Sequence, residues 1–174
     1  MKHLKTYKIF EHQSKDIYEL IKVLDEFDIE NYTINKDGTI DIDGDVDLSH
    51  KGLTKIPLEF GKVTGYFIVN YNQLTSLEGC PKEVVRNFNC GNNKLTNLIG
   101  GPQEVGSSYY CSNNPLETLE GCAGDIGIDL FCRETKLTSL DCASVIIGDI
   151  ECQGNVFEEE PDFFGICEGE IIWK

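Results

Sequence analysis

Residues 88–98 read Phe88-Asn89-Cys90-Gly91-Asn92-Asn93-Lys94-Leu95-Thr96-Asn97-Leu98, and the pattern of this stretch recurs along the chain. The first Leu of the pattern recurs every 21 residues, at Leu53, Leu74, Leu95, Leu116 and Leu137. The next match, Phe157, follows after only 20 residues, because one Gly of the pattern is missing between Asp141 and Cys142. A fixed period of this length indicates stacked, structurally similar units rather than a mixed globular fold.

Two apolar positions precede the turn in each unit, separated by one residue. The first column holds Val46, Phe67, Phe88, Tyr109, Leu130 and Ile150, and the second holds Leu48, Val69, Cys90, Cys111, Cys132 and Cys152. An alternation of period two predicts a short strand with one face in the core. Parallel stacking of such strands then buries both columns, and six coils are expected from about Ile42 to Phe157.

A column of Asn follows the strand, at Asn72, Asn93, Asn114 and Asn155. A buried side-chain amide there can bond main-chain groups of its own coil and of the neighbouring coil, which would otherwise lack partners. Thr135 and Lys51 interrupt the column, so their coils are expected to be looser.

The unit resembles the leucine-rich repeat, L-x-L-x-x-N-x-L-x-x-L. The resemblance implies a mostly β leucine-rich repeat solenoid of about six coils, with a parallel sheet on one face. Return segments such as Gly79 to Glu83 are rich in Gly and Pro, so an irregular or extended convex side without helices is expected. The segments Asp43 to Ser49, Gly61 to Phe67 and Leu77 to Val84 together are similar to short leucine-rich repeat proteins of tailed bacteriophages.

The ends of the chain depart from the repeat, as the caps of a solenoid do. Four segments are predicted: a flexible head over 1–13, a helix and hairpin cap over 14–44, the solenoid over 45–157 and a C-terminal cap over 158–174. Ser14 is a suitable N-cap for a helix to about Phe27, and Lys36-Asp37-Gly38 is typical of a hairpin turn. A helical turn is expected over 158–164 and a final strand over 170–173.

The 174 residues include 30 acidic and 15 basic side chains, for a net charge of −15. Such a charge disfavours direct binding to nucleic acid, whose backbone attracts clustered Lys and Arg. No stretch has the length of apolar residues that a membrane helix requires, so no membrane contact and a cytoplasmic location are expected. A single domain is predicted, and a monomer is favoured although the oligomeric state is open.

The eight Cys follow the repeat, so their spacing reflects periodicity rather than ligand geometry. Packing as small apolar side chains is the favoured interpretation, with a disulfide and a metal site as alternatives. Asp41 to Asp47 has acidic spacing similar to a calcium loop, but Gly44 is misplaced and Gly52 stands where a bidentate Glu is needed. No catalytic motif occurs, so the sequence predicts no enzyme, no cofactor and no metal.

The residues between and beside the buried columns are expected to form one solvent-facing sheet surface that binds a protein. The predicted partner-binding residues are Tyr66, Ile68, Tyr71, Asn89, Tyr110, Phe131, Arg133 and Glu151. Residues 51–133 carry 8 acids and 7 bases, whereas both ends are strongly acidic. An aromatic centre with little net charge is typical of an interface. The alternative is that cross-strand aromatic pairs only stabilise the sheet.

Three functions are compatible with the sequence. The favoured one is a non-enzymatic interaction module, phage-encoded by the resemblance and acting on a host or phage protein in the host cytoplasm. The second is a structural or internal virion component, since Met1 to Glu11 resembles the capsid-targeting heads of internal phage proteins. The third is an acidic nucleic-acid mimic that occupies a DNA- or RNA-binding protein.

Overall fold

The computed structural model describes residues 14–142 and 144–174, so the predicted head over 1–13 lies outside the described residues. The described chain forms one α-helix followed by short strands that wind into a parallel β-solenoid of about six turns. The prediction of a mostly β solenoid is confirmed.

The first elements are a helix and a hairpin. Helix α1 spans Ser14–Glu26, and strands β1 (Tyr32–Ile34) and β2 (Ile40–Ile42) pair antiparallel, as predicted. Leu24 of the helix is fully buried, and the neighbouring Leu20, Val23 and Phe27 pack against the core of the first coils. The apolar stripe of the helix therefore lies on the solenoid.

Each turn of the solenoid contributes one strand to each of two sheets. The return sheet consists of β1, β2, β4 (Phe60–Val63), β6 (Glu83–Val84), β8 (Glu104–Val105), β10 (Asp125–Ile126), β12 (Val145–Ile146) and β14 (Ile166–Cys167). The face sheet consists of β3 (Val46–Asp47), β5 (Phe67–Ile68), β7 (Phe88–Asn89), β9 (Tyr109–Tyr110), β11 (Leu130–Phe131), β13 (Ile150–Glu151) and β15 (Ile171–Ile172).

The return sheet corrects the expectation of a single sheet. The return segments are extended, as expected, but they also pair in parallel, for example Glu83 with Glu104 and Val84 with Val105. The four returns from β6 to β12 each carry one buried aliphatic residue, at Val84, Val105, Ile126 and Ile146, so they have an inner and an outer face like the strands of the face sheet. Once the face sheet fixes the spacing of the coils, the backbone groups of adjacent returns lie opposite one another and hydrogen-bond.

The last segment continues both sheets. Strand β14 pairs with β12 and strand β15 with β13, each in parallel and in register, so 158–174 contains a further turn of the spiral. The predicted helical turn over 158–164 is wrong, because these residues form bends and extended chain. An extended path carries the chain across the end of the solenoid to the edge of the return sheet.

The two predicted apolar columns are buried. Every member from Val46 to Ile150 and from Leu48 to Cys152 is at most 1% exposed. The aromatic members contact each other along the axis, with ring centroids 6.0 Å apart for Phe67 and Phe88 and 4.8 Å apart for Phe88 and Tyr109. The solenoid core is therefore a stack of aromatic rings beside a stack of small thiols.

The Asn side chains join successive coils. Asn93 donates its amide hydrogens to the carbonyl oxygens of Val69 and Cys90, both at 3.0 Å, and its Oδ1 accepts from the N–H of Leu74 at 3.0 Å. Asn72 donates to Val69 as well, at 2.9 Å, so the carbonyl of Val69 receives one amide from each of two coils. The ladder is continuous from Asn72 to Asn114, and it supplies partners to turn backbone that water cannot reach.

At the interruption of the column, Thr135 remains buried and its hydroxyl contacts both Cys132 O and the Oδ1 of Asn155. A hydroxyl has one donor where an amide has two, so Thr135 makes only part of the Asn contacts. At the other interruption, Lys51 is exposed and its N–H is instead bound by Asn72 Oδ1 at 3.0 Å.

Glycine permits the tight corners between the two sheets. A Cβ added at Gly127 would lie 2.2 Å from Gly106 O and 2.8 Å from Gly106 C, in the coil beneath. By contrast, a Cβ at Gly124 would find nothing nearer than Gln103 O at 3.7 Å. The backbones of adjacent coils thus meet at the Gly127 corner and leave room for a methyl group at Gly124.

We predict that Asn93→Ala lowers the free energy of unfolding by about 2–4 kcal/mol, because Leu74 N–H is left buried without an acceptor and two further bonds are lost. The matched control is Asn97→Ala, which removes a single exposed bond to the N–H of Ile99 and should cost about 1 kcal/mol or less. Urea unfolding measures both, and equal losses would contradict a special role for the ladder.

We also predict that Gly127→Ala lowers the free energy of unfolding by about 1–3 kcal/mol, whereas Gly124→Ala changes it little. The difference follows from the contact with Gly106 O, which a methyl group can only relieve by shifting backbone. Thermal unfolding of the two variants checks this, and a Gly124→Ala variant as unstable as Gly127→Ala would refute the proposed close approach.

Candidate interaction surface

The centre of the predicted surface is one in-register column on the face sheet. Ile68 pairs with Asn89, Asn89 with Tyr110, Tyr110 with Phe131 and Phe131 with Glu151. All five side chains are half-buried on the outer side of their strands. The sheet therefore brings together five of the predicted residues in a straight row.

Tyr110 and Phe131 form the aromatic middle of this row. Their ring centroids are 4.5 Å apart and the ring planes differ by 2°, so the two rings stack face to face. The guanidinium carbon of Arg133 lies 5.8 Å from the Phe131 centroid, and the Arg133 guanidinium pairs with the carboxylate of Glu151. The stacked rings of Tyr110 and Phe131 thus present their edges to solvent. Beside them, the opposite charges of Arg133 and Glu151 compensate each other.

Two other predicted residues flank the row. Tyr66 lies under the guanidinium of Arg86, 5.4 Å from the ring centroid. Tyr71 is 51% exposed and stacks on His50, with centroids 4.4 Å apart, in the turn beyond the strand. Tyr71 has φ 53°, which is unfavourable for a bulky side chain. His50 was not among the predicted residues, and only its place in the same repeat position as Tyr71 could have indicated it.

A second polar ladder runs beside the row and was not predicted. The Oδ1 of Asp45 accepts from Tyr66 N–H at 2.8 Å, that of Asn87 from Ser108 N–H at 3.0 Å, and that of Asp129 from Asp149 N–H at 2.9 Å. These residues recur at one position of the repeat, which is the signal that sequence reasoning could have used. Acidic side chains of this face, such as Asp45 and Asp129, therefore accept hydrogen bonds from backbone N–H groups.

The acidic entry segment uses its carboxylates in the same way. Asp41 accepts from Lys62 N–H at 2.8 Å, Asp43 from the Thr64 hydroxyl at 3.0 Å, and Asp47 from Ser49 N–H at 2.9 Å. Within residues 14–142 and 144–174, no group of three or more His, Cys, Asp or Glu is arranged to hold a metal ion. Asp41 and Asp43 thus join the first two coils, whereas Asp47 stabilises the turn of its own coil.

All eight cysteines are free thiols. Burial raises the pKa of Cys80, and it raises the pKa of Cys90 and Cys111 well above the ordinary value, so these three are inert packing groups. Burial also raises the pKa of Tyr109, whose hydroxyl has no hydrogen-bond partner in the described structure. The thiol column is part of the core, as the favoured interpretation expects.

The outer side of the return sheet carries a separate apolar cluster near the C-terminal end. Ile147 is 54% exposed, Ile166 is 59% exposed, and Val145 lies beside Ile166 in register. The sequence did not predict these exposed side chains, because it predicted a single sheet. Ile166 belongs to the return sheet, whereas Tyr110 and Phe131 belong to the face sheet.

No helix among the described residues is long and apolar enough to cross a membrane. A search of family models, of curated proteins and of solved structures found no match to the chain.

A double-mutant cycle on Tyr110→Ala and Phe131→Ala should give a coupling energy of about 0.5–1.5 kcal/mol, because the stacked rings contact each other directly. The free energies of unfolding of the wild type, both single variants and the double variant provide the measurement. The neighbouring pair Ile68 and Asn89, in register but not aromatic, is the control and should couple less. A coupling near zero would contradict a stabilising stack.

Proposed function

We propose that the chain is a non-enzymatic protein-binding module that uses its face sheet as the binding surface. The observation that carries the proposal is the in-register row from Ile68 to Glu151, with the Tyr110–Phe131 stack at its middle. Apolar and aromatic side chains at the centre of a rigid, flat sheet are the groups from which interface hot spots are built. Parallel hydrogen bonding holds them in place before a partner arrives.

The partner that suits this surface is a protein with an apolar anchor and a basic border. Arg133 contacts Glu151 and Phe131, and Arg86 contacts Tyr66. Both guanidinium groups therefore already have partners within the chain. The carboxylates of Asp129 and Asp149 lie beside the row, so the uncompensated charge near the aromatic pair is negative. Opposite charge at a rim mainly accelerates association, while the apolar centre supplies affinity.

By its resemblance to phage leucine-rich repeat proteins, we infer that the partner is a host or phage protein met in the host cytoplasm. The resemblance to phage proteins rests on the segments Asp43 to Ser49, Gly61 to Phe67 and Leu77 to Val84. The buried Asn amides support the broader resemblance to a leucine-rich repeat, because they bond turn backbone of their own coil and of the coil before.

The test is capture of partners by the immobilised full chain from host and infected-cell lysates, followed by calorimetry on the purified partner. Tyr110→Ala with Phe131→Ala should weaken binding about 30-fold or more, because each truncated anchor of a hot spot costs about 1–2 kcal/mol or more. The control variant is Ile147→Ala with Ile166→Ala, which removes exposed apolar side chains from the return sheet and should leave the affinity unchanged.

Two outcomes would reject the proposal. If the return-sheet variant loses the partner and the Tyr110/Phe131 variant retains it, the binding surface lies on the other sheet. If raising salt from about 0.1 M to about 1 M abolishes binding while both variants bind normally, the contact is electrostatic and the acidic-mimic alternative is favoured. Circular dichroism of each variant establishes that loss of binding is not loss of fold.

A further inference from the structure

Cys122 and Cys142 differ from the buried thiols in their accessibility. They occupy the same repeat position in successive coils, and both are partly exposed, whereas Cys90, Cys111 and Cys132 are 0% exposed. The position between Cys80 and Cys122 in this column is Gly101, so Cys122 and Cys142 are its only neighbouring pair of thiols. A thiol pair at a surface can undergo chemistry that a buried column cannot.

The missing Gly of the repeat shortens the turn before Cys142 by one residue. In the coil of Cys122 the turn closes from Cys122 N–H to Leu119 O at 2.9 Å, with Gly121 at φ 85°. In the coil of Cys142 the turn closes over one residue fewer, from Cys142 N–H to Leu140 O at 2.9 Å. The chain therefore reaches Cys142 through a tighter turn than the one that precedes Cys122.

Ser144 then fixes Cys142 against the coil of Cys122. Its buried hydroxyl lies 2.6 Å from Ala123 O and 3.4 Å from the Sγ of Cys142, and the adjacent Val145 N–H bonds Gly124 O at 2.7 Å. The two coils are therefore joined at Ala123 and Gly124, just after Cys122, and at Ser144 and Val145, two and three residues after Cys142. Side chains at equivalent positions of adjacent parallel coils are about 4.8 Å apart at the backbone, within the Cα range of a disulfide.

The two thiols have different acidities. The Cys122 thiol, followed by Ser144, lowers the pKa of Cys142 to about 7, although burial and Asp141 oppose the shift. The same contact raises the pKa of Cys122 well above its ordinary value, and burial adds to this. The contact between the two thiols therefore favours the thiolate at Cys142 rather than at Cys122.

We propose that Cys122 and Cys142 are a redox modification site at which a hydroperoxide converts the two thiols into a disulfide between adjacent coils. The Cys142 thiolate attacks one peroxide oxygen, forming an S–O bond and breaking the O–O bond. The departing hydroxide (or alkoxide) takes up a proton. The Cys122 sulfur then attacks the sulfenic sulfur, forming the S–S bond and releasing hydroxide, which takes the proton of Cys122 and leaves as water.

The chain contains two internal controls. Cys132 and Cys152 also lie on successive coils and influence each other's pKa, lowering that of Cys152, but both are 0% exposed. Cys167 is partly exposed, but burial raises its pKa and its Sγ contacts Gly148 O at 3.4 Å rather than another thiol. The Cys132–Cys152 pair is therefore a control in which two thiols interact but are not exposed to peroxide. Cys167 is a control in which the thiol is exposed but does not contact another thiol.

The experiment treats the reduced, folded chain with hydrogen peroxide, blocks remaining thiols under denaturing conditions and maps disulfides by peptide mass spectrometry. We expect an intramolecular Cys122–Cys142 disulfide, with Cys132, Cys152 and Cys167 still alkylated. In the absence of peroxide at pH 7, iodoacetamide should modify Cys142 about tenfold or more faster than Cys167. In Cys122→Ser, Cys142 should accumulate as a sulfenic acid that a dimedone probe traps.

Several results would overturn the proposal: no oxidation of Cys142, oxidation of Cys132–Cys152 or Cys167 at an equal rate, or disulfides only between two copies. Cys142→Ser provides a second check, since it should leave Cys122 reduced under the same treatment. Circular dichroism before and after treatment shows whether the thiols reacted in the folded protein. Oxidation of Cys122 in that variant at the wild-type rate would equally count against Cys142 as the attacking group.

Discussion

The structure depends on one constraint: the turn after each face strand is buried, and its backbone groups need partners that water cannot provide. The amide of Asn93 meets this need by bonding a carbonyl of its own coil, at Cys90, and a carbonyl of the coil before, at Val69. The same oxygen of Val69 also accepts a hydrogen bond from Asn72. A shift of one coil would therefore break hydrogen bonds made by the Asn side chains of two coils. The Asn ladder therefore sets the register of the whole stack.

Fixed register has consequences on both sides of the strand. Inside, it aligns rings with rings and thiols with thiols, so Phe67, Phe88 and Tyr109 form one stack. Outside, it allows a side chain such as Asp45 or Asn87 to bond the backbone of the next coil at the equivalent position. Acidic residues in these positions contribute structural bonds as well as charge, and a net charge of −15 overstates the acidity free to contact a partner.

The sequence was sufficient to predict the features that repetition determines. The period located the buried columns, the Asn positions and the outward row with Tyr110 and Phe131, because each depends only on alternation within one strand. It did not predict the return sheet, since two-residue strands such as Glu83–Val84 have too little alternation to be recognised. It also gave no indication of the ring stacking of His50 on Tyr71, which depends on the turn conformation. Of the strands in 158–174 it predicted the last, Ile171–Ile172, but not Ile166–Cys167, where a helical turn was expected just before and the repeat is no longer recognisable.

The positions where the repeat is irregular are the ones that carry distinct chemistry. Regular coils satisfy one another's polar groups and bury one another's apolar side chains, so they leave little that can react or bind. Tyr110 and Phe131 place aromatic rings in an outward column that elsewhere holds Asp47, Ile68, Asn89 and Glu151, and the deleted Gly tightens the turn before Cys142. Between Asn114 and Thr135 the side-chain ladder itself is broken, since the Thr135 hydroxyl reaches Cys132 O and Asn155 but, among the described residues, no carbonyl of the coil before. Main-chain bonds such as Cys111 N–H to Phe131 O keep the coils stacked there. The proposed binding surface and the proposed thiol pair both lie in this part of the spiral, where the repeat departs from its regular pattern.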